Sequence, residues 1–296
     1  MRFVKQAITS YTSATVTPEH ADWSPVTTYN IGDNVLYGNY IWKNSFTSNL
    51  NNIPSDESPY WVKFGTSNYY SLIDTQSKTK TTVIGNDLIV KFPANYIDTI
   101  AIGYFTAQTV RIENLDASNN VLLTQEYYQS INEDVFDYYD YIYAPYSDST
   151  DKAKYFNIIK AGTQIRVSFL KGSYPGVSVG FLVGGTAINM GKTVEGVKLG
   201  WQSFSLRTTD DFGIMSITKR ADQDLIDFET SIDTVNLMSL RRKAKQYKDE
   251  IVAFIVDDTE SSVFENIVTL GVMQEMQPIA TNNDKTILTW SILESI

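Results

Sequence analysis

Six carboxylates crowd one stretch of the chain: Glu133, Asp134, Asp137, Asp140, Asp148 and Asp151, interleaved with Tyr138, Tyr139, Tyr141, Tyr143 and Tyr146. Acids this dense could hold a calcium ion or act as an acid–base pair on a glycosidic bond. Neither pattern is met. The EF-hand spacing is absent, and glycosidase pairs project from rigid strands across a cleft. The stretch reads instead as a solvated or partner-facing loop with its tyrosines as contact rings. A second stretch, "GGTAINMGKT" from Gly184 to Thr193, invites a phosphate loop, but Gly185 and Gly191 stand one residue too far apart. Glycines at a strand-to-turn junction are the better reading.

The remaining chemistry is excluded by residue type. The chain has no Cys, so thiol nucleophiles, disulfides and thiolate metal sites are ruled out, and its one imidazole is His20. No nucleophile, acid–base pair or metal constellation emerges, no cofactor is implied, and the chain reads as a non-enzyme. A net charge of −10 repels a polyanion and argues against nucleic acid as a partner. One basic face, Arg241, Arg242, Lys243, Lys245 and Lys248, fits a solvated helix surface or a contact with an acidic neighbour. Apolar runs such as "IVAFIV" are strand-sized, so no membrane insertion is expected, and the amino terminus lacks the apolar segment of a signal peptide.

Aromatic rings are the conspicuous chemistry: 19 Tyr, 14 Phe and 5 Trp, with Trp23, Tyr29, Tyr37, Tyr40, Trp42 and Trp61 packed into one short module. Aromatic faces stack on the C–H patches of sugars, and Tyr40 and Trp42 stand on one side of a strand about 7 Å apart, a workable platform. The competing reading is a mini-core, because so small a unit needs large rings to bury enough area. Some of these rings are expected to pack, and the rest to face a glycan or a partner protein.

The elements that position them are mainly β. Residues 1–20 read as an amino-terminal arm, ordered against a partner. Residues 21–65 form a small three-stranded aromatic module whose Gly38-Asn39 turn closes a hairpin. Residues 66–199 run strand after strand between turn signals, as in an antiparallel, jelly-roll-like β-sandwich; Ile165, Val167 and Phe169 of "QIRVSFL" mark one buried face. Residues 200–296 read as an α+β domain of order β-β-β-α-β-β-β. Its one helix lies on a sheet through Leu237, Leu240, Ala244 and Tyr247, with Asp233 as N-cap.

Two resemblances follow. Trp23, Tyr29, Gly32-Asp33, Val35, Tyr37, Tyr40, Trp42, Pro54 and Trp61 resemble the core of small chitin- and cellulose-type carbohydrate-binding modules. Across residues 21–296, "FGTSNYYSLID", "LVGGTAINMGKTVEGV" and "TTDDFGIMSITKRA" are similar in order to tailed-bacteriophage virion proteins with a sugar-module-like domain before a sandwich and an α+β end. That resemblance implies a structural tail component: a homo-oligomeric ring, adaptor or fibre-attachment protein. It would be made in the host cytoplasm, carried in the virion tail, and joined to other tail or neck proteins, with the amino-terminal module gripping a host surface glycan or docking a neighbour. The alternative is a free carbohydrate-binding protein, or the binding subunit of a polysaccharide-degrading system.

Overall fold

The structure, a computed structural model, describes residues 1–128, 153–159, 161–194, 196–209, 212–256, 267–280 and 284–296. The acidic Tyr-rich stretch lies outside the described residues. The chain opens with β1 (Arg2–Lys5) and β2 (Ser13–Ala14). The aromatic module follows with β3 (Thr28–Tyr29), β4 (Asn34–Tyr37), β5 (Tyr40–Asn44), β6 (Asn49–Leu50) and β7 (Trp61–Thr66). A 3-10 turn, Ser71–Ile73, leads to β8 (Thr81–Ile84), β9 (Leu88–Pro93), β10 (Thr99–Gly103), β11 (Thr109–Leu115) and β12 (Val121–Tyr128). Next come β13 (Ala153–Asn157), β14 (Gln164–Leu170), β15 (Gly176–Val179), β16 (Phe181–Gly185), β17 (Ala187–Asn189) and β18 (Lys192–Thr193). The last part comprises β19 (Lys198–Ser203), β20 (Leu206–Thr209), β21 (Met215–Thr218), β22 (Asp222–Asp233), helix α1 (Leu237–Tyr247), β23 (Val252–Ile255), β24 (Val268–Ala280) and β25 (Lys285–Glu294).

The body is mainly β, with antiparallel sheets stacked in layers. An outer sheet of order β12-β11-β14-β9-β2 faces a middle sheet of order β13-β10-β16, and the small β8–β15 pair closes the same core. Alternation is clean in the outer sheet, where Leu88, Val90 and Phe92 of β9 and Ile165, Val167 and Phe169 of β14 point inward. The mixed pattern of β11 has a local cause. A register shift at Asn114/Leu115 breaks the alternation, while Arg111 and Glu113 on the outer face pair with Glu126 (2.5 Å) and Arg166 (2.6 Å).

Strands covered on both faces lose the alternation altogether. Ile100 and Ile102 of β10 face the sandwich core, whereas Ala101 packs with Phe181 and Val183 against Ala253, Ile255, Val268 and Leu270 of the next layer. That layer is the largest sheet, of order β17-β1-β23-β24-β25-β22-β18 with β19 added along β22. Its far face holds Phe228, Trp290, Leu288 and Ile292, and α1 closes it through Leu240 and Ala244, with Leu237 and Tyr247 half-buried.

Three expectations change. Residues 1–20 are not a free arm. β1 is an inner strand between β17 and β23, with Phe3 buried on the helix side and Val4 on the sandwich side. The glycines of the rejected phosphate loop explain its fit, since a Cβ on Gly185 would lie 2.1 Å from the Lys5 carbonyl oxygen and one on Gly184 2.7 Å from Ile8. The break at residue 200 is likewise not a sheet boundary, because β17 and β18 already belong to the large sheet. Asp233 does not cap α1. A 3-10 turn, Thr234–Asn236, intervenes, and the Asp233 carboxylate pairs with Lys285 at 3.1 Å.

Candidate functional site

Most of the module's rings form its core. The sheet β4-β5-β7 packs Val35, Trp42 and Trp61 with Tyr29 from β3, and their exposures of 4% for Trp42, 3% for Trp61 and 7% for Tyr29 leave no face for a ligand. Trp42 Nε1 donates to the Tyr37 carbonyl (3.2 Å), Trp61 Nε1 to the Asn52 carbonyl (2.8 Å), and the Tyr29 hydroxyl accepts from Ser24 N (2.7 Å). The amides a sugar would need are engaged too. Asn44 Nδ2 donates to the Asn30 carbonyl (2.8 Å) and the Phe46 carbonyl (2.6 Å), and its Oδ1 accepts from Asn49 Nδ2 (2.9 Å).

The Tyr40–Trp42 platform is therefore corrected. Both rings are covered by the Lys63 ammonium, 4.0 Å from the Tyr40 centroid and 5.4 Å from that of Trp42, with Asp56 holding the cation at 3.0 Å. Tyr40 also meets Tyr70 of the following turn at 6.4 Å, which docks the module on the sandwich. Of the six candidate rings, only Tyr37 is well exposed, at 41%, and half-buried Trp23 abuts it edge-on at 5.6 Å. The outward apolar surface includes Val26, Ile31, Phe46, Leu50, Ile53, Val62 and Phe64. Val62 and Phe64 flank Lys63 on β7, and period-two reading from the core residue Trp61 would have placed Val62 outside.

The module's junction with the sandwich holds a half-buried carboxylate. Asp74 Oδ2 accepts from Thr66 Oγ1 (2.9 Å) and Thr79 Oγ1 (2.8 Å), and its Oδ1 accepts from Gln76 N (2.9 Å). Burial nevertheless raises its pKa above the ordinary carboxylate value. Beside it, burial also pushes the Tyr11 hydroxyl upward, and the Tyr11 ring meets Tyr69 edge-on at 5.2 Å.

A second apolar surface lies on a two-stranded ribbon. β19 pairs with the first half of β22, and β20 with β21; Phe204 N donates to the Ala221 carbonyl (3.3 Å) to join the two ladders. All eight residues of β20 and β21 are exposed, and so are Leu199 and Trp201 of β19. Trp201 is 77% exposed, although it is as large as the Trp290 that is wholly buried in the same sheet.

Elsewhere, Arg241, Arg242, Lys243 and Lys245 of α1, with Lys248 just past its end, are exposed around the buried Leu240 and Ala244. A cleft lined by Lys192, Asp233, Asn236, Lys243 and Lys285 has its acid already paired with Lys285. Among the described residues, no group of three or more His, Asp or Glu is placed to hold a metal ion, and no helix is long and apolar enough to cross a membrane. No protein-family model matches the chain, and no curated protein matches it.

Proposed function

We propose that this protein is a non-enzymatic structural component of a bacteriophage tail, assembled in several copies as a ring, adaptor or fibre-attachment piece. The observation that carries this reading is the apolar surface left outside a body whose cores are otherwise filled. The ribbon and the module together expose Trp201, Phe212, Phe46, Phe64, Val62 and Ile217. Exposed aromatic and aliphatic side chains grouped on a surface mark assembly interfaces. The module acts as a docking piece within the assembly, since its tryptophans are engaged in its own core and its outer face is aliphatic and Phe-rich.

The second reading, a glycan-binding module on a free protein, rests on Tyr37 standing exposed beside Trp23. Sedimentation velocity of the purified full chain, paired with pull-down on insoluble chitin and cellulose, separates the two. A closed oligomer without polysaccharide binding is the expected result. A monomer retained on polysaccharide, and released by Tyr37→Ala, would overturn the structural reading in favour of the second.

A further inference from the structure

β22 leaves β25 at Leu225, and from there to Met215 the chain pairs, among the described residues, with β19 and β20 alone. Ten residues at strand rise reach roughly 30 Å from the sheet. A two-stranded ribbon is marginal in water on its own. This one also presents Leu199, Trp201, Phe204, Leu206, Met215 and Ile217 to solvent, with Phe212 90% exposed near its tip. Leu199 stands opposite Ile226, so it shares the face that buries Ile226 in the core under α1. Trp201 continues that face outward. The apolar side of the large sheet thus runs past its own cover onto the ribbon. On β20 and β21, Met215 and Ile217 stand opposite Thr209 and Arg207 and share one face with them, while Leu206, opposite Thr218, lies on the other.

Charge selects the occupant. Residues 198–221 carry Lys198, Arg207, Lys219 and Arg220 against Asp210 and Asp211, a positive segment in a chain of net charge −10. Ribbon against ribbon would bring the cations of two copies together, so a two-fold contact is disfavoured. The aromatic module has the complementary character. Residues 21–65 carry Asp22, Asp33, Asp56 and Glu57 against Lys43 and Lys63, with Val62 and Phe64 exposed on the edge strand β7. We propose that the ribbon of one copy docks head-to-tail on the aromatic module of a second copy, laying its apolar side chains on Val62 and Phe64 and its cations toward Asp56 and Glu57. Such a heterologous contact closes into a ring when its rotation permits. The proposal rests on the multi-copy reading above and adds which surfaces meet.

The test uses the full chain and two double variants: Trp201→Ser with Ile217→Ser on the ribbon, and Val62→Ser with Phe64→Ser on the module. All four positions are exposed, and near-ultraviolet circular dichroism checks that each variant folds. Native mass spectrometry and sedimentation should find wild type in closed oligomers and each variant monomeric, with at least a tenfold weaker association. An equimolar mixture of the two variants should form two-chain complexes and nothing larger, because one intact contact remains. Charge reversal by Arg207→Glu with Lys219→Glu should dissociate the oligomer without touching an apolar residue. Raising salt from about 0.05 to about 0.5 M should weaken wild type in the same direction. A ribbon variant that assembles like wild type overturns this inference and leaves the multi-copy reading standing. A module variant that assembles while the ribbon variant does not overturns the head-to-tail pairing. A monomeric wild type overturns both.

Discussion

The aromatic module and the ribbon hold their rings in opposite ways. In the module, Trp42, Trp61 and Tyr29 point inward, their polar atoms satisfied by backbone groups a few residues away. On the ribbon, Trp201 and Phe212 point outward, with no core of the ribbon's own behind them. The difference follows from size and support. A unit of some 45 residues must use its largest side chains to bury enough area to fold, whereas the ribbon is rooted in a sheet that already has a core. Aromatic density in a small unit therefore first reports a folding requirement. Rings left out once that requirement is met report contact.

The sharpest way to break this contrast is to truncate a tryptophan in each region. Trp42→Ala should cost about 3–5 kcal/mol, the range for deleting a large buried ring, and should melt the module in a separate, earlier transition than the sandwich. Thermal denaturation followed by tryptophan fluorescence and by far-ultraviolet circular dichroism would show two steps where wild type has one. Preserved stability with lost polysaccharide binding would mean that Trp42 faces a ligand, and the contrast would fail.

The next effect concerns the ribbon's root. Glu294 is buried, and its carboxylate accepts from Ser77 Oγ (2.6 Å), Tyr104 Oη (2.5 Å) and Asp224 N (3.1 Å), while its carbonyl accepts from Gln223 Nε2 (3.2 Å). One side chain thus ties the base of the ribbon to the sandwich. Glu294→Ala leaves the Ser77, Tyr104 and Asp224 donors without their acceptor and should cost about 2–3 kcal/mol, since hydrogen bonds to a charged group are the strong ones. Hydrogen exchange should show the loss concentrated at residues 222–225. A cost below about 0.5 kcal/mol would mean that the ribbon is not anchored there.

Features with local causes were legible in the sequence. The Gly38-Asn39 hairpin, the alternation of Ile165, Val167 and Phe169, and the Leu237–Leu240–Ala244 stripe each depend on near neighbours in the chain, and each stands in the structure. β1 was hidden because its partners Ile188 and Phe254 lie far along the chain, and because a strand covered on both faces loses its period. Which rings of the module pack was not legible for another reason. Tyr40, Trp42 and Asn44 alternate identically whether their shared face meets a sugar or the module's own core, and only Lys63, arriving from β7, decides between these. The ribbon was read as ordinary strands of a sheet, since nothing within "WQSFSLRT" states that β25 ends opposite Leu225.

A smaller effect separates the two regions by pH. The raised pKa of Asp74 means that the folded state binds its proton more tightly than the unfolded chain does. Its contribution to stability is therefore fully present below the unfolded value of 3.8 and is lost as pH rises through the higher folded value. Denaturant titrations across the acid range should show this loss in wild type and not in Asp74→Asn, and the change should track the module's docking on the sandwich. The ribbon variants should leave the profile unaltered. A wild-type curve that rises with pH across that window, relative to Asp74→Asn, would contradict the burial assigned to this carboxylate.

The smallest expected effect completes the contrast. Trp201→Ala in the isolated chain should shift stability by no more than about 0.5 kcal/mol, as for surface substitutions away from caps, cores and networks. The same truncation in the module costs several-fold more, although the residue type is identical. What Trp201 supplies is then visible only when a partner is present. Comparing melting temperatures at dilute and concentrated protein makes this measurable, because association stabilises by mass action. Wild type should gain stability with concentration, whereas Trp201→Ala should not. If both gain equally, the ring on the ribbon is ornament to the assembly, and the exposed surface that matters lies on the module alone.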